Sequence, residues 1–170
     1  MILVGIGSNL AAAAYASPQD TAEAALTELP ALGVAVVARS AWYLSEPVPA
    51  SDQPWFVNAV AVVATDLLPD ALLARLLALE ARFGRLRAAP NAARTLDLDL
   101  LDYDGRQCAT ATLTLPHLRL HERRFVLVPL HDIAPDWRHP QLGMTAAELV
   151  ARLPPGQQVR QLTGGSDRPE

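Results

Sequence analysis

The chain has 170 residues, half of them hydrophobic, which suits one domain with a sizeable core. A net charge of −4 and a pI near 5.5 argue against a nucleic-acid partner. Every basic side chain among the 14 is arginine, so neither a Schiff-base lysine nor a P-loop lysine is available; phosphate would have to be held by Arg forks, metal ions and backbone N–H groups.

Met1 to Ile6 is apolar and β-branched and reads as a buried strand, ended by Gly5 and Gly7. It has no basic leader, and no later stretch is apolar for long enough to span a bilayer. The expected location is the cytoplasm, with no membrane partner. Ser17-Pro18 reads as a cap and first turn, opening a helix that runs to about Leu29 and stops at Pro30. Val34 to Tyr43 reads as the second strand. Pro47, Pro49 and Pro54 make residues 45–55 a loop, and Phe56 to Thr65 the third strand. Pro69 opens a helix carrying Leu72, Leu73, Leu76, Leu77 and Glu80 at helical spacing, ended by Gly84.

Arg85 to Arg94 reads as an arginine- and alanine-rich loop, and Thr95 to Tyr103 as the fourth strand, with a turn at Asp104-Gly105. Cys108 is the one cysteine, which excludes an internal disulfide and a cysteine-built zinc site. Leu113 to Leu115 reads as a short strand, and the apolar run Glu122 to Leu130 as opening a helix near Pro129. Thr145 to Glu148 has the form of a capping box for a helix reaching about Leu153, and residues 164–170 read as a frayed tail. The order strand, helix, strand, strand, helix, strand predicts an α+β domain over residues 1–163, with a largely antiparallel sheet and helices on one face.

The segment richest in chemistry is Arg94-Thr95-Leu96-Asp97-Leu98-Asp99-Leu100. Alternate side chains of a strand share a face, so Asp97 and Asp99 point together while the leucines turn to the core. Two adjacent carboxylates raise each other's cost of ionisation, and a cation between them relieves it. All-oxygen donors suit Mg²⁺, which completes its shell from water and substrate phosphates. Arg85 and Arg87, beyond the end of the second helix, could clamp a polyphosphate opposite the pair. His117 and His121 stand at i,i+4, but Phe125 occupies the place where the metalloprotease pattern needs its second histidine. Asn58 can both donate to and accept from the edge of a heterocycle. These residues alone leave open a metal-dependent phosphohydrolase and a non-enzymatic ligand-binding module.

In chain order, Gly7-Ser8-Asn9-Leu10, Gln53-Pro54-x-Phe56-x-Asn58, Glu80-x-x-x-Gly84-Arg85-x-Arg87, Arg94-Thr95-Leu96-Asp97-Leu98-Asp99, Leu115-Pro116-His117 and Arg123-x-Phe125-x-Leu127-x-Pro129-Leu130 closely resemble the 6-hydroxymethyl-7,8-dihydropterin pyrophosphokinases of folate synthesis. The resemblance implies a ferredoxin-like fold and pyrophosphate transfer from ATP to the hydroxymethyl-dihydropterin, leaving AMP. It implies that Asp97 and Asp99 hold two Mg²⁺ ions and that Arg85 and Arg94 join them in catalysis. Glu80, Arg85, Arg87, Arg94, Leu100, Thr114, His117 and Arg123 fall at ATP-binding positions. Ser45, Glu46, Val48, Phe56, Asn58 and Phe125 fall at pterin-binding positions, the two phenyl rings sandwiching the heterocycle. The partners it implies are those two small molecules, for a monomer. The chain departs from some members in the loop Ala88-Ala89-Pro90-Asn91-Ala92-Ala93, which lacks a tryptophan, and at Thr112 and Leu118.

Overall fold

A computed structural model of the chain describes residues 1–85 and 92–163. The frayed tail expected at 164–170, like Arg87 and loop residues 88–91, lies outside the described residues. The elements are β1 (Ile2–Ser8), α1 (Pro18–Glu28), β2 (Ala35–Arg39), β3 (Tyr43–Ser45), β4 (Phe56–Ala64), α2 (Pro69–Arg82), β5 (Asp97–Tyr103), β6 (Cys108–Ala109), β7 (Thr114–Leu115), α3 (Arg124–Ile133), α4 (Ala146–Arg152) and β8 (Val159–Gln161). The main sheet runs β5-β1-β4-β3-β8, with β2 also on β4, and each pairing is antiparallel. This is the strand order of the split βαβ fold, so the expected α+β, ferredoxin-like class holds.

Local chemistry starts and stops the helices as the sequence indicates. Ser17 accepts from the Asp20 N–H at 3.0 Å with Pro18 in the first turn of α1, and Thr145 and Glu148 form the reciprocal capping box of α4. Three expectations need correction. The stretch from Val34 to Tyr43 is not one strand. Ser40 breaks it, its hydroxyl accepting the Val60 N–H at 3.1 Å, so β2 and β3 pair separately with β4. The helix expected near Pro129 begins at Arg124 and carries Pro129 inside it, forgoing the hydrogen bond to the Phe125 carbonyl.

The third correction concerns the layers. α1 and α2 bury Ala22, Ala25, Leu26, Leu72, Leu76 and Leu79 against Ile2, Val4, Ile6, Leu98 and Leu100 on one face of the sheet. α3 and α4 cover the other face with Val126, Leu127, Leu130 and Leu149 on Leu3, Val60 and Leu101. Helices therefore lie on both faces, because each row of alternating strand residues is apolar over part of its length and must be kept from water. A bulge in β5 assists. The register against β1 shifts between Leu3 and Val4, and buried Leu101 and Asp102 both face α3 and α4, where Asp102 accepts from Trp137 Nε1 at 2.8 Å. The second helical layer covers only the far part of its face, leaving Asp97, Asp99, Gly5, Gly7, Phe56 and Asn58 to line a cleft. Among the described residues, no helix is long and apolar enough to cross a membrane.

Candidate active site

The cleft is floored by strand register. Gly7 pairs with Asp97 on one side and Asn58 on the other, and Gly5 pairs with Asp99 and Val60. A Cβ on Gly7 would stand 3.4 Å from Asn58 Oδ1 and 3.6 Å from Asp97 Cβ, and one on Gly5 3.3 Å from Leu101 Cδ1. The two glycines thus leave the space between the carboxylates and the asparagine free for a ligand. Ser8 and Asn9, both buried, moor the rim. Ser8 Oγ donates to the Thr95 carbonyl at 2.7 Å, and Asn9 Oδ1 accepts the Arg94 N–H at 2.8 Å while its amide donates to the Pro54 carbonyl at 3.0 Å.

Each aspartate carries its own arginine and aromatic ring. Asp97 accepts from Arg85 Nη1 at 2.6 Å and from Arg94 Nη1 at 2.9 Å, and the Arg94 guanidinium lies 5.7 Å from the centroid of Phe56. Asp99 pairs with Arg123 Nη1 at 3.1 Å, and the Arg123 guanidinium lies 5.6 Å from the centroid of Phe125. Cation–π contact and ion pairing together orient both guanidinium planes at the cleft. His117 Nδ1 accepts the Arg119 N–H at 3.2 Å, so the neutral ring carries its proton on Nε2, which lies 4.0 Å from Asp99 Oδ1. Burial lowers the pKa of His117 despite Asp99 and keeps it a neutral donor.

The opposite wall comes from β3, β4 and their loop. Ser45 Oγ accepts from Asn58 Nδ2 at 2.9 Å, fixing the amide with its oxygen towards Gly7. Glu46, Pro47, Val48 and Pro49 complete this wall, facing Phe125 and Val126 at the start of α3. The cleft encloses about 810 Å³ of open space, its mouth included.

Burial raises the pKa of Asp97, and neighbouring Asp99 adds to the rise, against the pull of Arg94 and Arg85. Glu80 of α2 lies behind the pair. It is 3% exposed, and its Oε1 accepts the Leu98 N–H at 2.7 Å and also pairs with Arg85. Burial pushes its pKa up to about 7 even so. An acid whose folded pKa lies above its unfolded value makes the fold less stable as pH rises between the two. The melting temperature of Glu80→Gln, measured against wild type, is therefore expected to rise between pH 4.5 and pH 7. A relative fall over that window would mean that Arg85, not burial, dominates.

The sequence-predicted residues Ser45, Glu46, Val48, Phe56, Asn58, Arg94, Asp97, Asp99, Arg123 and Phe125 all line this one cleft. Arg85 reaches it through Asp97, and His117 stands beside Asp99. Glu80 and the side chain of Leu100 do not line it. Leu100 is in the core of the opposite face, and since the Leu98 N–H points away from β1, alternation turns the Leu100 amide to the same free edge. Thr114 lies on β7, off the cleft lining. Arg87 lies outside the described residues. Sequence reasoning passed over Arg119 and the floor glycines, whose i,i+2 spacing matches that of the aspartates they pair with.

A protein-family model described as 7,8-dihydro-6-hydroxymethylpterin-pyrophosphokinase matches residues 3–135. Among curated proteins, the chain is similar to three bacterial enzymes named 2-amino-4-hydroxy-6-hydroxymethyldihydropteridine pyrophosphokinase. One, from Methylorubrum extorquens, is 41% identical over 89% of this chain and 92% of its own. That from Pseudomonas aeruginosa is 41% identical over 90% and 91%, and that from Synechocystis 40% identical over 89% and 75%.

Proposed function

The chain belongs to the 7,8-dihydro-6-hydroxymethylpterin-pyrophosphokinase family, and we propose how its cleft divides the labour of that reaction. The enzyme transfers the diphosphate of ATP to the hydroxymethyl group of the dihydropterin, in folate synthesis, and releases AMP. The hydroxymethyl oxygen forms a bond to the β-phosphorus and gives up its proton to solvent, and the bridging bond from the β-phosphorus to the α-phosphate oxygen breaks, its electron pair leaving with AMP.

The observation that carries the site assignment is the arrangement of two aspartate–arginine–phenylalanine sets around a glycine floor. Phe56 and Phe125 stack on the pterin ring, Asn58 hydrogen-bonds its edge, and Ser45, Glu46 and Val48 close around that edge. Arg85, Arg94, Arg123 and His117 bind the phosphates, exchanging carboxylate for phosphate partners when ATP arrives. Adenine and ribose lie along the free edge of β5, at the Leu100 main chain and Thr114. Glu80 serves that site from behind, by holding the β5 edge and Arg85. Arg87 is assigned to ATP by its place in the sequence.

Asp97 and Asp99 fit two Mg²⁺ ions. Both side chains offer oxygen donors only, which Mg²⁺ prefers, so Asp97 and Asp99 would hold the ions while ATP oxygens and water would complete their shells. Magnesium supplies charge neutralisation on the triphosphate and makes the hydroxymethyl oxygen more acidic. The protein contributes alignment and fixed positive charge, and none of its side chains is needed as a base. Residues 1–163 act as one domain, the enzyme as a monomer, and the cytoplasm as its location.

Phe56→Ala is expected to weaken binding of the dihydropterin by roughly 5- to 150-fold, taking about 1–3 kcal/mol for a lost stacking contact. ATP affinity should move much less. Equilibrium binding of each ligand alone measures both. Unchanged pterin affinity in Phe56→Ala would remove the ring-sandwich assignment.

A further inference from the structure

The chain after residue 135 lies beyond the family match, yet β8 and the two residues before it reach both walls of the cleft. Val159 of β8 pairs with Ser45, and the Gln158 N–H donates to Glu46 Oε1 at 3.0 Å, so this segment holds the pterin wall. One residue earlier, Gln157 turns to the opposite wall. Its Oε1 accepts the Arg124 N–H at 2.8 Å, and its Nε2 donates to the Glu122 carbonyl at 2.8 Å. These two groups flank Arg123, the partner of Asp99.

Arg124 is the first residue of α3, whose N-cap Arg123 makes no side-chain capping bond. The opening N–H groups of a helix have no partner within it. Gln157 supplies the missing acceptor from 33 residues away. The helix start that it fixes carries Phe125 and Val126 into the cleft.

We propose that residues 157–161 form a clasp setting the separation of the two walls, with Gln157 as a positioning residue for Arg123 and Phe125. The proposal rests on the assignment of this cleft to the pterin. Side-chain amides on a neighbouring backbone are a directional tether, and losing both bonds lets the α3 start drift from the β3–β4 wall. A ring sandwich is sensitive to such a drift, because its contact is spread over both walls.

The test uses the full chain as wild type, Gln157→Ala and Gln157→Glu. The readouts are dihydropterin affinity from the fluorescence of the pterin, hydrogen exchange at single amides, and the melting temperature. Gln157→Ala is expected to weaken pterin binding roughly five- to tenfold, in line with two modest hydrogen bonds, and to speed exchange at the Arg124 amide. Gln157→Glu keeps the acceptor for Arg124 and should recover that protection with part of the affinity. A lowered melting temperature with unchanged pterin affinity would make Gln157 merely structural and overturn the clasp. Should Gln157→Ala fail to fold, wild type still decides: pterin binding is expected to slow exchange at the Arg124 and Gln158 amides together, and no change at either overturns the proposal. If wild type itself binds no pterin, the site assignment falls and takes the clasp with it; normal wild-type binding with unaltered affinity in Gln157→Ala sinks the clasp alone.

Discussion

Asp97→Asn and Asp99→Asn are each expected to lower kcat by about 1,000-fold or more, with the far-ultraviolet circular dichroism of wild type retained. Both changes keep side-chain shape and remove charge from the pole of the cleft proposed above for the triphosphate. The alternation of β5, which turns both carboxylates to one side and Leu98 and Leu100 to the other, does not depend on that charge. Asp97 also ionises at a cost, through burial and Asp99, so neutralising it relieves one unfavourable contribution while it releases Arg85 and Arg94. The consequence should appear in turnover far more than in stability. Steady-state kinetics with saturating ATP, Mg²⁺ and pterin measure it. Near-normal kcat in both variants would remove the metal assignment.

Arg123→Ala is the second large effect, with kcat/KM expected to fall roughly 100- to 1,000-fold, the cost of losing one fixed charge at a developing negative site. Arg123 pairs with Asp99 and lies over Phe125, so it touches both halves of the cleft. Arg123→Lys should recover only part of the loss. An ammonium carries the charge but lacks the planar fork that can rest on a ring and offer two parallel N–H groups to phosphate. Full rescue by lysine would reduce the role of Arg123 to charge alone. Kinetics with each substrate varied separately distinguishes loss of phosphate binding from loss of pterin binding.

Much of this site could be read from the sequence because it is written in a period of two. Asp97 and Asp99, and Phe56 and Asn58, sit two apart on strands, and each pair reached the same face. Strand pairing is not written that way. Gly5 and Gly7 read in sequence only as the end of the first strand, and their use as a floor emerges only from the register of β1 between β4 and β5. Glu80 followed the helical spacing of its leucine neighbours, which gives no hint that its carboxylate caps the free edge of β5. The sequence points to a helix opening near Pro129, but proline is tolerated inside α3 because burial of Val126, Leu127 and Leu130 on the sheet outweighs its cost. β8 is short and polar, and pairing with β3 makes it a strand where its own residues do not.

In the proposed mechanism the β5 carboxylates hold divalent ions against the triphosphate of ATP. Equilibrium dialysis with Mn²⁺ in place of Mg²⁺ and a non-cleavable ATP analogue counts those ions directly. Two bound per wild-type chain, and a reduced count in both Asp97→Asn and Asp99→Asn at unchanged nucleotide occupancy, is the expected result. Two ions retained with both aspartates replaced would contradict it.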